Sequence, residues 1–162
     1  MNPQARLDYA HQTPALFKKL AELSKTIADS EHLDAGLAHL VDIRASQING
    51  CAFCLDMHAK EARLHGEREL RLHHVAAWHD SPLFTPRERV ALEWTEAVTR
   101  MAPGGVPDAL YDEARRHFSE PELSALTFRV ASINAWNRLC VTFRTVPGSR
   151  DKALGLDKAG LA

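Results

Sequence analysis

The apolar residues of the chain recur at intervals of three and four, the spacing that places them on one face of an α-helix. The first such stretch follows Thr13-Pro14, a pair typical of a helix start, and extends to Ile27. A second runs from about Asp34 to Ile48, and Asn49-Gly50 ends it because this dipeptide tolerates a positive φ. A third helix is predicted from Cys51 to about His65.

Two capping boxes mark the starts of later helices. Thr85-Pro86-Arg87-Glu88 opens a helix that ends at Pro103-Gly104-Gly105. Ser119-Glu120-Pro121-Glu122 opens the longest helix, which reaches about Phe143, and a shorter helix is expected over residues 108–118. With short connections between them, these segments predict an all-α fold, a compact bundle of six to seven helices.

The chain carries no linker, low-complexity tract or charge block that would divide it. We therefore expect a single domain over residues 1–162, with its core at about 14–147 and a loosely held C-terminal tail. Composition agrees with a helical domain, because 24 Ala and 20 Leu stand against 8 Val and 4 Ile.

Charge and hydropathy narrow the classes of partner. The formal charge is −1, from 20 Lys and Arg against 21 Asp and Glu, so no net field attracts nucleic acid or an anionic membrane. No run of apolar residues is long enough to span a bilayer, and the first residues lack a hydrophobic signal core. The sequence predicts no nucleic-acid partner, no membrane partner and a cytoplasmic location.

The candidate chemistry lies at the start of the third helix. Cys51 and Cys54 are three residues apart and His58 follows four residues later, so all three fall on one helical face. Thiols in a first turn feel the positive end of the helix dipole, which lowers their pKa. A neighbouring imidazole can take the proton. A low-pKa thiolate, a second thiol and a base are the groups that a thiol redox centre requires.

Other interpretations of this cluster are open on the residues alone. Haem attachment needs a histidine directly after the second cysteine, where Leu55 stands, and a thioredoxin-type site needs strands that the pattern does not predict. A zinc site could use Cys51, Cys54 and His58 with a fourth ligand such as His39, but a second ligand block is missing. The cysteines could also be small buried core residues. We expect no cofactor and no metal.

The run ASQINGCAFCLDMHAKEAR, which begins at Ala45, resembles the active-site motif of the alkylhydroperoxidase AhpD-like proteins of the carboxymuconolactone decarboxylase superfamily. The resemblance is strongest over about residues 40–66 and extends more weakly to Phe143. It includes Asn134-Ala135-Trp136-Asn137-Arg138, which resembles a segment common in single-domain members. The resemblance implies an all-α fold and assembly into a homo-oligomer such as a trimer, hexamer or dimer.

The resemblance also implies a role for each residue of the motif. Cys54 would be the peroxidatic thiolate, Cys51 the resolving thiol that closes a disulfide with it, and His58 part of the proton relay. The family relay also uses a glutamate twelve residues before the first cysteine, and this sequence has His39 there. We predict that His39 takes that place, with Asp42 the nearby carboxylate on the same helix.

The predicted function is a thiol-dependent peroxidase of antioxidant defence, similar to alkyl hydroperoxide reductases. It would act on a hydroperoxide substrate and be reduced by a dithiol or lipoyl-bearing protein. Two alternatives are a non-peroxidatic disulfide redox sensor and a carboxymuconolactone decarboxylase-like lyase, which would use no cysteine pair. Cys140, in the long apolar helix, is interpreted as a core residue, and Asn134 as a structural amide.

Overall fold

The regular structure of the chain is helical throughout the part that the structure describes. The computed structural model describes residues 4–160, so the first three and last two residues of the predicted domain lie outside it. Within that range six α-helices have ten or more residues, which confirms the all-α prediction. No helix there has the length and hydropathy needed to cross a bilayer. The α-helices are α1 (Tyr9–Gln12), α2 (Pro14–Ala28), α3 (Ala35–Asn49), α4 (Ala52–Leu64), α5 (Glu69–His74), α6 (Pro86–Arg100), α7 (Asp108–His117), α8 (Glu120–Phe143) and α9 (Asp151–Leu154).

Both predicted capping boxes are present. The Thr85 hydroxyl accepts the Glu88 N–H, and the Glu88 carboxylate accepts the Thr85 N–H at 2.7 Å. Ser119 and Glu122 repeat this reciprocal pair at the start of α8. Each cap satisfies backbone donors that the first helical turn leaves free, which typically contributes about 1 kcal/mol.

Helix α3 is the centre of the bundle, packed against α4, α6 and α8. Its residues from Leu37 to Ile43 are all buried, so the helix has no solvent-facing stripe along this stretch. Two of these buried residues, His39 and Asp42, are polar or charged. A helix buried on all sides holds its side chains in fixed positions, and α3 therefore provides a rigid support for the polar groups of the site.

A cluster of amides fixes the end of α3 against α8. The Asn49 side chain donates to Asn134 Oδ1 at 3.0 Å and to Asn137 Oδ1 at 2.8 Å. The Asn134 amide in turn donates to Thr99 Oγ1 and to the Val130 carbonyl, each at 2.9 Å. Asn134 is therefore a structural amide, as predicted, and the cluster anchors the turn that leads into α4.

The C-terminal segment packs against α4. Lys60 Nζ donates to Asp151 at 2.6 Å and to Asp56 at 3.0 Å, and Asp56 also accepts the Gly148 N–H at 2.9 Å. Leu156, in a 3₁₀ turn, is only 3% exposed. The buried Lys60 ammonium and an apolar contact thus hold the described part of this segment against α4.

Candidate active site

The turn between α3 and α4 sets the position of both cysteines. Gly50 ends α3 with φ at 66°, a left-handed conformation that glycine adopts without strain, and the Cys51 N–H donates to the Ser46 carbonyl at 2.9 Å. Cys51 then becomes the N-cap of α4, and its Sγ accepts the Cys54 N–H at 3.2 Å. Both sulfurs therefore lie at the N-terminal end of α4, as the sequence predicts.

Cys51 and Cys54 are joined as a disulfide, with their Cα atoms 5.3 Å apart. Each cysteine is only 1% exposed. Cys54, but not Cys51, lines a cavity of about 500 Å³, which we call the Cys54 cavity. The cavity walls are mainly apolar, with charged groups beside Cys54. They include Phe17, Ile27, Phe53, Met57, Ile133, Trp136, Cys140, Asp42, His58, Glu61 and Arg129.

His58 lies in the same cavity and is oriented by two carboxylates. Its Nδ1 is 2.7 Å from Glu61 Oε2 and 3.5 Å from Asp42 Oδ2, which requires that Nδ1 carries a proton. Its Nε2 is buried and has no hydrogen-bond partner among the described residues. Nε2 is therefore the ring atom left free to exchange a proton within the cavity.

The carboxylates also determine the charge of His58. Burial alone would lower the pKa of the imidazole, but the negative charge of Asp42 and the hydrogen bond and charge of Glu61 outweigh it, so the pKa is raised. Burial would likewise raise the pKa of Glu61, and the contact with His58 lowers it instead. The arrangement favours an imidazolium in the cavity that Cys54 lines, and a neighbouring positive charge stabilises the thiolate of a reduced cysteine.

His39 is buried on α3 with its hydrogen bond directed to another histidine. Its Nε2 is 2.8 Å from His65 Nδ1, and the two rings stack at a centroid distance of 4.9 Å. Burial lowers the pKa of His39, although the charges of Glu61 and Asp42 partly oppose this effect. His39 therefore lies beside the charged groups of the site, and its place in the relay stays a prediction.

Glu61 is the carboxylate that sequence reasoning missed. It follows His58 by three residues on α4, and this spacing brings two side chains together on a helix. This spacing could have identified Glu61 as a partner of His58 from the sequence. The family pattern instead directed attention to the position occupied by His39. The carboxylates that contact the site histidine thus come from α4 through Glu61 and from α3 through Asp42.

Asp42 is held by a buried ion pair with Arg129 of α8. Arg129 Nε donates to both carboxylate oxygens, at 2.9 and 3.0 Å, and its Nη2 donates to Oδ2 as well. The Asp42 side chain is 2% exposed and that of Arg129 15%. This pairing satisfies the buried carboxylate and holds it beside His58.

We expect Asp42→Asn to destabilise the fold by about 3 kcal/mol, because it leaves the buried Arg129 guanidinium without its main counter-charge. Chemical denaturation monitored by circular dichroism measures this loss. The matched control is Asp29→Asn, which breaks the exposed pair with Lys25 and should cost less than about 1 kcal/mol. Equal effects of the two substitutions would contradict the structural role of the buried pair.

Cys140 lies at the site as well as in the core. It is 3% exposed, lines the Cys54 cavity, and its Sγ is 3.5 Å from the Tyr9 hydroxyl. The sulfurs of Cys51, Cys54 and Cys140 lie within 4.8 Å of one another. Among residues 4–160 this is the one group of potential ligands close enough to hold a metal ion, and the disulfide uses two of the three sulfurs. Interpreting Cys140 as core alone was incomplete.

Comparison with known proteins identifies the family. Residues 14–97 match the model of the carboxymuconolactone decarboxylase family. The uncharacterised protein YdfG of Bacillus subtilis is 36% identical over 136 residues, 84% of this chain and 92% of YdfG.

Solved structures share the architecture. A protein of unknown function from Agrobacterium tumefaciens, for which an AhpD-type role in antioxidant defence has been suggested, is 40% identical. It superposes with a TM-score of 0.86 over 89% of this chain and 98% of its own. The debrominase Bmp8 shares the fold alone, at 20% identity and a TM-score of 0.77 over 92% of this chain and 79% of its own. The chain therefore belongs to the carboxymuconolactone decarboxylase family and has the AhpD-like fold.

Proposed function

We propose that the protein is a thiol-dependent peroxidase of antioxidant defence that reduces hydroperoxides through the Cys51–Cys54 pair. The observation that carries the proposal is that Cys54 and His58 line the same cavity, while Cys51 lies outside its lining. A substrate entering the cavity meets Cys54 first. Cys51, which is not part of the cavity wall, then bonds to the oxidised Cys54 and forms the disulfide present in the structure.

The reaction balances with these groups. The Cys54 thiolate attacks the terminal oxygen of the hydroperoxide, the O–O bond breaks, and the leaving alkoxide takes a proton from His58 to become an alcohol. Cys54 is then a sulfenic acid, which condenses with the Cys51 thiol to give the disulfide and water. A dithiol donor reduces the disulfide by thiol exchange and is itself oxidised to a disulfide.

The cavity supports an organic hydroperoxide as substrate. Its volume of about 500 Å³ lies in the range typical of small-molecule sites, and its walls include Phe17, Phe53 and Trp136. The suggested antioxidant role of the Agrobacterium tumefaciens protein agrees with this substrate class. The electron donor we propose is a dithiol or lipoyl-bearing protein, which implies a reducing compartment such as the cytoplasm.

Peroxide consumption by the purified protein tests the proposal. Reduced protein mixed with excess cumene hydroperoxide and no donor should consume one equivalent and gain one Cys51–Cys54 disulfide, measured by mass spectrometry. Adding dihydrolipoamide should convert this single event into continuous turnover. The pre-oxidised protein without donor is the control and should consume none.

Three other results would contradict the peroxidase or its resolving step. A disulfide sensor would consume its single equivalent but show no sustained turnover with the donor. A lyase would leave the peroxide untouched. Oxidation of Cys54 directly to sulfinic or sulfonic acid, with Cys51 remaining a free thiol, would remove the resolving role of Cys51.

We also expect a homo-oligomer. Large apolar side chains are exposed on α2 and α8, including Leu16 at 70%, Phe128 at 57% and Val141 at 46%. The family resemblance implies the oligomer, and these exposed side chains are available to its interfaces. Sedimentation velocity at micromolar concentration should show a species larger than the 18.0 kDa chain, and a single species at that mass would contradict the expectation.

A further inference from the structure

A third sulfur lies beside the redox pair without a role in the proposed cycle. Cys140 belongs to α8, whereas Cys51 and Cys54 lie at the start of α4, yet the three sulfurs are within 4.8 Å of one another. Cys140 and Cys54 line the same cavity, and Cys140 is a free thiol. His58, whose buried Nε2 has no hydrogen-bond partner among the described residues, lines that cavity too.

The gap between the sulfurs of Cys140 and Cys54 is at most 4.8 Å. A disulfide needs its sulfurs about 2 Å apart, and cysteine side chains rotate between staggered positions that displace the sulfur. The side chains packed around the three sulfurs are those of Ala45, Ile133, Phe53 and Trp136, none of which carries a charge. Rotation of the side chains is therefore the main movement that the bond requires.

We propose that Cys140 is a second resolving thiol, which condenses with the sulfenic acid of Cys54 when Cys51 does not. The Cys140–Cys54 S–S bond forms, the S–O bond of the sulfenic acid breaks, and the thiol proton leaves with the hydroxyl group as water. A dithiol donor then reduces this disulfide as it reduces the first. The inference rests on the proposed function, in which peroxide oxidises Cys54.

The two resolving thiols differ in rate for a physical reason. Cys51 lies three residues before Cys54 in the first turn of α4 and is already bonded to it in the structure. Burial raises the pKa of the Cys140 thiol, against the smaller lowering effects of Tyr9, Thr145 and Arg150, so less of it is thiolate near neutral pH. Cys140 therefore acts second, and its action limits further oxidation of Cys54.

The test uses Cys51→Ser, with Cys51→Ser/Cys140→Ala as the matched control. Serine is a favoured N-cap, so the first substitution preserves the start of α4. After one equivalent of cumene hydroperoxide and an acid quench, trypsin releases the Cys54 peptide (residues 45–60) and the Cys140 peptide (residues 139–144). We expect the two peptides disulfide-linked in Cys51→Ser, and a sulfenic acid in the control that dimedone traps for at least about tenfold longer.

A second arm needs no peroxide. One equivalent of 4,4′-dithiodipyridine forms a mixed disulfide at Cys54 and releases one thiopyridone, and attack by Cys140 releases a second. We expect two thiopyridones per protein from Cys51→Ser and one from the control. Failure of the peroxide arm with success of this arm would overturn the peroxidase but retain the Cys54–Cys140 exchange. One thiopyridone from both variants, or no cross-linked peptide after Cys54 has become oxidised, would overturn the role of Cys140.

Discussion

Replacing Cys54 with serine should reduce peroxide turnover with dihydrolipoamide to the uncatalysed background, a loss of at least about 10³-fold. Cys54 is the sulfur of the pair that lines the cavity, and a serine hydroxyl is not ionised at neutral pH. Replacing Cys51 should instead leave the reaction of Cys54 with peroxide intact, because the attacking sulfur and His58 remain. Stopped-flow peroxide consumption with and without donor separates the single reaction from turnover.

The comparison of Cys51→Ser with Cys54→Ser is the critical control, because each removes the disulfide and only one removes the attacking sulfur. Thermal midpoints and far-ultraviolet circular dichroism of both variants establish that the bundle is retained. Should Cys54→Ser consume its equivalent of peroxide while Cys51→Ser does not, the peroxidatic and resolving roles must be exchanged.

Substituting His58 with glutamine should slow the reaction of Cys54 with peroxide by about 10²–10⁴-fold, the usual contribution of an acid–base group. Glutamine retains a hydrogen-bond donor for Glu61 but cannot carry a positive charge. Because the pKa of His58 is raised, its imidazolium stabilises a thiolate in the reduced protein, and losing it should raise the pKa of Cys54. The rate of iodoacetamide alkylation against pH reports that shift as a midpoint moved to higher pH.

The matched control is His65→Gln, which removes an imidazole from the neighbouring stacked pair with His39. We expect the alkylation midpoint of this variant to stay close to that of the wild type. A midpoint that is unchanged in His58→Gln, together with an unchanged rate, would show that the imidazole does not activate Cys54. A large shift in His65→Gln would instead bring the His39–His65 pair into the relay.

Local signals in the sequence were sufficient to predict most of the helical framework. The capping boxes at Thr85 and Ser119, the Asn49-Gly50 stop and the spacing of Cys51, Cys54 and His58 each depend on neighbours within a few residues. Such contacts are set by helical geometry alone. The predicted placement of the cysteine pair at the start of a helix was therefore confirmed.

Features that depend on distant residues were not predictable in this way. Asp42 meets Arg129 across 87 positions of sequence, and Cys140 reaches the cysteine pair from another helix. The C-terminal segment is fixed by Lys60, whose burial is not visible in a pattern of polar and apolar residues. Glu61 differs from these residues, because its spacing of three from His58 on one helix is visible in the sequence. The family pattern, however, points to the position of His39.

The burial of the disulfide limits the size of the group that can reach and reduce it. Cys51 and Cys54 are each 1% exposed. A thiol on the flat surface of another folded protein therefore cannot approach either sulfur closely enough to form a bond. Under the proposed function we therefore expect the electrons to arrive on a slender group that passes along the cavity, such as a lipoyl arm or a small free dithiol. Of the two donor classes proposed, a lipoyl-bearing protein therefore suits the buried disulfide better than a protein whose dithiol lies on a flat surface.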